Sequence, residues 1–167
     1  MHDIHIRAAR PADAEVLRDY NLALALETEN LKLDPTIVLD GIRALLADES
    51  KGRYFVAECE GRVIGQVMHT FEWSDWRNGM FWWLQSVYVH SEFRSRGVFT
   101  ALFRHVEALA RADAGVCGLR LYMEHENHRA RGAYVRLGLS PAGYEVFTTP
   151  DWKPSHTPQP GATRPTN

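Results

Sequence analysis

Residues 85–109 read QSVYVHSEFRSRGVFTALFRHVEAL, and this stretch decides the fold. Val87 and Val89 sit in a strand-like run, Arg94, Ser95, Arg96 and Gly97 form a turn, and Phe99, Leu102, Phe103, Val106 and Leu109 recur at helical spacing. A strand therefore passes through an arginine-rich turn into an amphipathic helix. Glycine lets the backbone bring successive amides together, and the first N–H groups of a helix have no internal acceptors and lie at its positive end. Arg94 and Arg96 add charge-assisted donors beside those amides. On the residues alone two readings stay open, a phosphate site and a solvated strand-to-helix connection.

Working outward, Ile4 and Ile6 alternate with polar residues and predict a first strand, and Pro11 opens a helix whose buried stripe is Val16, Leu17, Tyr20 and Leu24. ETENLKLD, residues 27–34, breaks that pattern as an acidic connector and candidate lid. Pro35 then starts a second helix with Ile37, Val38, Ile42, Leu45 and Leu46 on its apolar face. Strands are expected at 54–59, 63–71 and 81–89, joined by short turns as an antiparallel meander. After the arginine turn come a helix to about 112, a strand over 117–123, a helix over 129–137 capped by Gly138, and a last strand over 141–148. The expected class is α/β, a mixed sheet built as a meander followed by βαβαβ.

The 167 residues, 45% of them hydrophobic, suffice for one well-buried core, so residues 1–149 are read as one domain. Residues 150–167, with Pro154, Pro158, Pro160, Gly161 and Pro165, read as a Pro-rich tail without a core. A net charge of −2 offers no general footprint for nucleic acid. No run reaches the roughly 18 apolar residues of a membrane span and no signal peptide is evident. With only Cys59 and Cys117, the expectation is a soluble cytoplasmic protein with reduced thiols. The aromatic tract WSDWRNGMFWW, residues 73–83, is read as core or homodimer packing in preference to a nucleic-acid stacking platform.

Two linked segments resemble the GNAT superfamily of acyl-CoA-dependent N-acyltransferases. VYVHSEFRSRGVFTAL, residues 87–102, is similar to that family's strand and Q/R-x-x-G-x-G/A turn, with Arg94 and Gly97 matching and Phe99 in place of the final small residue. NHRARGAYVRLGL, residues 127–139, is similar to its N-x-x-A-x-x-x-Y-x-x-x-G-F/L signature through Asn127, Ala130, Tyr134, Gly138 and Leu139. The resemblance implies the GNAT fold with a splayed central strand pair. It also implies acetyl-CoA as cosubstrate, its pyrophosphate at Arg94, Ser95, Arg96, Gly97, Val98, Phe99 and Thr100. Its pantetheine arm would lie against the Val87 and Val89 backbone and Asn127, and near Tyr134.

Acyl transfer from a thioester to an amine requires a neutral amine, a polarised carbonyl and a proton for the departing thiolate. A phenol of pKa about 10 stays protonated at neutral pH and suits a thiolate whose acid has pKa about 8.5, so Tyr134 is the expected proton donor. An amide of the splayed strand would polarise the thioester oxygen. Glu72 and Glu124, near strand ends, are the candidate bases, with His69 a third option that is also a packed core histidine. The tract EHENH, residues 124–128, has neither an HExxH arrangement nor a cysteine pair, and no metal is expected. Glu27, Glu29, Asp34, Glu72 and Asp75 make the acceptor side acidic, favouring a cationic amine of a small molecule or an amino group of a peptide or protein. The alternatives are a non-catalytic acyl-CoA-binding regulatory module and an interaction domain built on the aromatics.

Overall fold

A computed structural model describes residues 3–124 and 127–149. Its elements are β1 (His5–Ala8), α1 (Ala14–Glu29), α2 (Pro35–Leu46), β2 (Arg53–Cys59), β3 (Arg62–Ser74), β4 (Gly79–Val89), α3 (Val98–Ala112), β5 (Val116–Arg120) and α4 (His128–Arg136). Short 3-10 turns at Pro11–Asp13 and Ser91–Phe93 precede α1 and the arginine turn. The strands form one five-stranded sheet in the order β1-β2-β3-β4-β5, antiparallel except for the β4–β5 pair. The mixed α/β architecture, the meander and the parallel step after α3 thus follow the sequence pattern.

Strand β2 shows how the two layers arise. Alternate residues Phe55, Ala57 and Cys59 face the core beneath α3, while Tyr54 and Val56 face α1 and α2. Helix α3 buries Val98, Leu102, Phe103, Val106 and Ala110 on one stripe, against Ile64, Val67, Trp82 and Leu84. Leu17, Ile64 and Leu102 are fully buried, each worth roughly 1.5–3 kcal/mol relative to exposure. Gly65 lets α3 lie close, since a Cβ there would sit 3.0 Å from Val98 Cγ1 and 3.1 Å from the Tyr88 carbonyl oxygen.

The element ends have local causes. Asp13 Oδ2 accepts from the Arg10 amide and from Arg7 Nη1, both at 2.7 Å, and Arg7 Nε reaches Glu58 at 2.8 Å, which ties β1, β2 and the start of α1 together. Asn30, in the left-handed region at φ 50°, ends α1. Asp34 caps α2 by accepting from the amides of Thr36 and Ile37 at 2.8 and 3.3 Å. Asp34→Ala is expected to cost about 1 kcal/mol, read as a shift of the urea midpoint; an unchanged midpoint would deny the cap its role.

One expected element is absent. Residues 141–148 form no strand in the structure. Tyr144, Val146 and Phe147 alternate in part but stay exposed. Pro141 has no amide to donate and Gly143 turns the chain at φ 76°, so the segment does not pair with the five-residue edge of β5. The proline-rich tail, 150–167, lies outside the described residues.

The aromatic tract divides. Phe81 and Trp82 are core, while Trp73 and Trp76 are exposed. Cys59 and Cys117 are both free thiols. Among the described residues no helix is long and apolar enough to cross a membrane, and no three metal-ligating side chains cluster. His125 and Glu126 of the EHENH tract lie outside the described residues.

Candidate functional site

The site begins where β4 and β5 part. Parallel pairing runs from Met80–Val116 to Trp83–Arg120 and stops there, although β4 continues to Val89. In the β3–β4 pair, Gln66 opposes Tyr88 and Met68 opposes Gln85, so β4 carries an extra residue between those partners. Ser86, at φ 50°, marks that bulge. Gln66 Nε2 donates to the Ser86 carbonyl at 3.1 Å and to Asn21 Oδ1 at 2.7 Å, pinning the bulge from beneath. The second half of β4 therefore has an open edge, facing a cleft of about 750 Å³. Its other walls are the turn before α3, the chain after β5, α4 and the end of α1.

The arginine turn closes one end. Ser95 and Gly97 both adopt left-handed backbone, at φ 62° and 82°. The first helical bond of α3 runs from the Ala101 amide to the Gly97 carbonyl at 2.9 Å, leaving the amides of Val98, Phe99 and Thr100 without an acceptor inside the helix. A Cβ on Gly97 would meet no atom within 4 Å, so the turn presents open space there. The geometry is that of an anion cradle made of backbone at a helix N-terminus.

The two arginines part company. Arg94 Nε donates to the Val89 carbonyl at 2.9 Å and Nη2 to Glu27 Oε2 at 2.6 Å, while Glu27 Oε1 accepts from the Tyr88 hydroxyl at 2.8 Å. Burial pushes the Glu27 carboxyl up, but its bonds to Tyr88 and Arg94 outweigh that and hold it below the usual range. Arg94 is thus a brace joining the end of β4, the turn and the end of α1. Arg96 lies exposed, its guanidinium 5.5 Å from the Phe93 ring centroid, and unlike Arg94 it does not line the cleft. The Arg94–Glu27–Tyr88 brace had no sequence signal, because its partners lie 61 and 67 residues apart. Val89, expected to offer its backbone along the cleft, has its carbonyl already shared with Arg94.

Phe99, where the resembling motif has a small residue, turns its ring toward the helices. Its ring packs edge-on to Tyr134, with centroids 5.6 Å apart, and against Phe103 at 6.2 Å, leaving its amide in the turn. Tyr134, on α4, lines the cleft, and burial pushes its phenol above the usual range. Asn127 caps α4 by accepting from the Ala130 amide at 3.1 Å and also lines the cleft.

The candidate bases separate clearly. Glu124 lines the cleft. Glu72 does not: it accepts from Trp83 Nε1 and, at 2.8 Å, from Arg120 Nη1 on the sheet beyond the splay. His69 is fully buried, stacked on Trp82 at 4.1 Å with Phe55 and Phe71 around it, and burial lowers it to about 4. It belongs to the core.

Known proteins share this fold. The profile of the "Acetyltransferase (GNAT) family" matches residues 18–139. A possible acetyltransferase from Clostridium difficile 630 has 40% sequence identity and a TM-score of 0.83, the match covering 92% of this chain and 99% of that one. A predicted acetyltransferase from Clostridium acetobutylicum, solved with acetyl-CoA, shares the fold at a TM-score of 0.73 and 14% identity over 88% of this chain and 96% of its own. The thialysine N-epsilon-acetyltransferase of Bos taurus is 33% identical over 76 residues, 46% of this chain and 44% of that protein, so the match spans less than half of that relative's length. With the split β4–β5 pair, the backbone cradle and the family match over most of its length, the chain belongs to the acetyltransferase (GNAT) family.

Proposed function

We propose that this protein transfers an acetyl group from acetyl-CoA to a primary amine by direct attack. The carrying observation is that one cleft joins the open edge of β4, the backbone cradle at Ser95–Thr100 and the Tyr134 phenol. The residues fit the cosubstrate on structural grounds: the Val98, Phe99 and Thr100 amides suit a pyrophosphate, Arg94 lines the same end of the cleft, and open space at Gly97 admits it. The Val87 backbone on the splayed edge suits the amide groups of a pantetheine arm, and Asn127 stands on the facing wall. The relative named for acetylating the ε-nitrogen of thialysine supports nitrogen as the accepting atom.

Acetyl-CoA, when bound, supplies the thioester carbonyl carbon, to which the new C–N bond forms as the C–S bond breaks. The chain's own groups then divide the proton traffic. Glu124 draws the proton from the incoming ammonium or from the water beside it, Tyr134 gives its phenolic proton to the departing sulfur, the second proton that the nitrogen sheds on becoming an amide restores the phenol, and a β4 amide steadies the carbonyl oxygen. The raised phenol pKa keeps Tyr134 protonated for this task.

The test is thiol release from acetyl-CoA across a panel of primary amines, with the acetylated product identified by mass. Tight CoA binding with no turnover on any amine would favour a non-catalytic acyl-CoA-binding module. Gly97→Val should raise the acetyl-CoA KM about tenfold or more, because a branched side chain both strains the left-handed turn and fills the open cradle. An unchanged KM would remove the turn from the phosphate site.

A further inference from the structure

A second groove, of about 340 Å³, lies between α1 and α2 over the sheet. Its walls are largely apolar: Leu33 from the connector, Val38, Ile42 and Leu45 from α2, Leu24 from α1, and Met68 from β3. It is not separate from the cleft. Leu24, Thr28, Glu29 and Ser86 line both, so the groove opens into the cleft at the bulge of β4, where its open edge begins. Its volume is within the range of roughly 300–1,000 Å³ typical of ligand sites.

Gly41 stands at the groove's outer, solvent-exposed edge. It occupies the interior of α2 and lines the groove, yet a Cβ at that position would meet no atom within 4 Å. Its backbone is not in the left-handed region. Neither packing nor backbone conformation calls for glycine there, and glycine in a helix interior costs about 0.5–1 kcal/mol relative to alanine. A side chain added there would project from the groove's outer edge.

The polar side chains of Asn21, Tyr54 and Thr28 at the groove already have hydrogen-bond partners. The Asn21 amide donates to the Tyr54 hydroxyl at 3.0 Å and its oxygen accepts from Gln66, while the Thr28 hydroxyl donates to the Leu24 carbonyl at 2.8 Å. They leave apolar contact as the main interaction on offer, with one carboxylate, Glu29, at the shared rim. Apolar surface gains from burying apolar surface, and a carboxylate at the mouth attracts an ammonium.

We infer that this groove is the acceptor subsite, and that the acceptor is an amine with an apolar arm, aliphatic or aromatic, whose arm lies between α1 and α2 while its nitrogen points past Glu29 into the cleft. The inference rests on the acyl-transfer reading for what happens to the nitrogen, and on the groove itself for what holds the arm. It narrows the acidic-side expectation: the charge sits at the mouth and the grip is hydrophobic.

The test compares 4-phenylbutylamine with ethanolamine, two primary amines that differ in the arm. Calorimetry on the CoA-bound protein measures binding, and thiol release in parallel samples with acetyl-CoA measures turnover. The expected result is that the phenylalkylamine binds at least tenfold more tightly, that Gly41→Phe removes this advantage by covering the groove from its outer edge, and that Val38→Lys does the same from the neighbouring turn. The thermal transition of each variant verifies folding. Equal binding of the two amines by the unaltered protein, or a preference that survives both substitutions, would overturn the groove assignment. Selective binding without turnover would keep the groove and remove acyl transfer, whereas turnover without selectivity would do the reverse.

Discussion

Tyr134→Phe is expected to lower kcat by about 10²-fold or more, with little change in the thermal transition. Loss of a positioned general acid costs on the order of 10²–10⁴ in rate. Phenylalanine retains the ring that packs edge-on to Phe99, so the fold and the position of α4 are preserved while the proton is removed. The leaving thiolate must then take its proton from water. Because burial raises the phenol above its usual pKa of about 10, the unaltered enzyme should not lose the donor at any pH from neutral to mildly alkaline. Turnover by the variant equal to the parent, with folding verified, would remove Tyr134 from the chemistry.

The second large effect concerns stability and pH. His69 is held at about 4 in the folded protein, mainly by burial and secondarily by Arg53, against an ordinary value of 6.5. The unfolded chain therefore takes up a proton at a pH where the folded protein does not. Stability is unaffected by this group above about pH 6.5, falls as the pH drops through the window from 6.5 to 4, and loses no more below it. At about 1.36 kcal/mol per unit, the full loss is roughly 3 kcal/mol, a large part of the ~5–15 kcal/mol that holds a domain together. His105, whose pKa burial also lowers, adds in the same direction. Urea midpoints at pH 7.5 and pH 4.5 should differ strongly, and His69→Leu should flatten most of that difference. A variant with the parental pH slope would place the acid sensitivity elsewhere.

The sequence carried most of the architecture because its signals were local. Helix α1 was legible from Pro11, α2 from Pro35, and α3 from apolar residues recurring on one face. The turn was legible because Gly97 permits a conformation that few residues adopt, and the structure adds Ser95 in the same region. The expected strand over 141–148 shows the limit: partial alternation states that a segment is able to be a strand, while an edge must accept it. Glu72 and Glu124 looked alike as carboxylates at strand ends. Arg120 and Trp83 sit beside the first, and nothing near Glu72 in sequence announced Arg120, 48 residues away.

By itself the sequence determined the family, the order of elements from β1 to α4 and the glycine turn before α3, since each depends on residue types at short, fixed spacings. The tertiary structure alone decided how those residues divide the work. It made Arg94 a brace to Glu27 and left Arg96 exposed over Phe93, put Glu124 in the cleft and Glu72 outside it, and buried His69 among aromatic rings. It also opened a groove at Gly41 that leads to the same cleft. The physical reason is common to all four. Hydrogen bonds, ion pairs and cavities are relations between groups distant in the chain, and spacing along a sequence does not fix their distance in space.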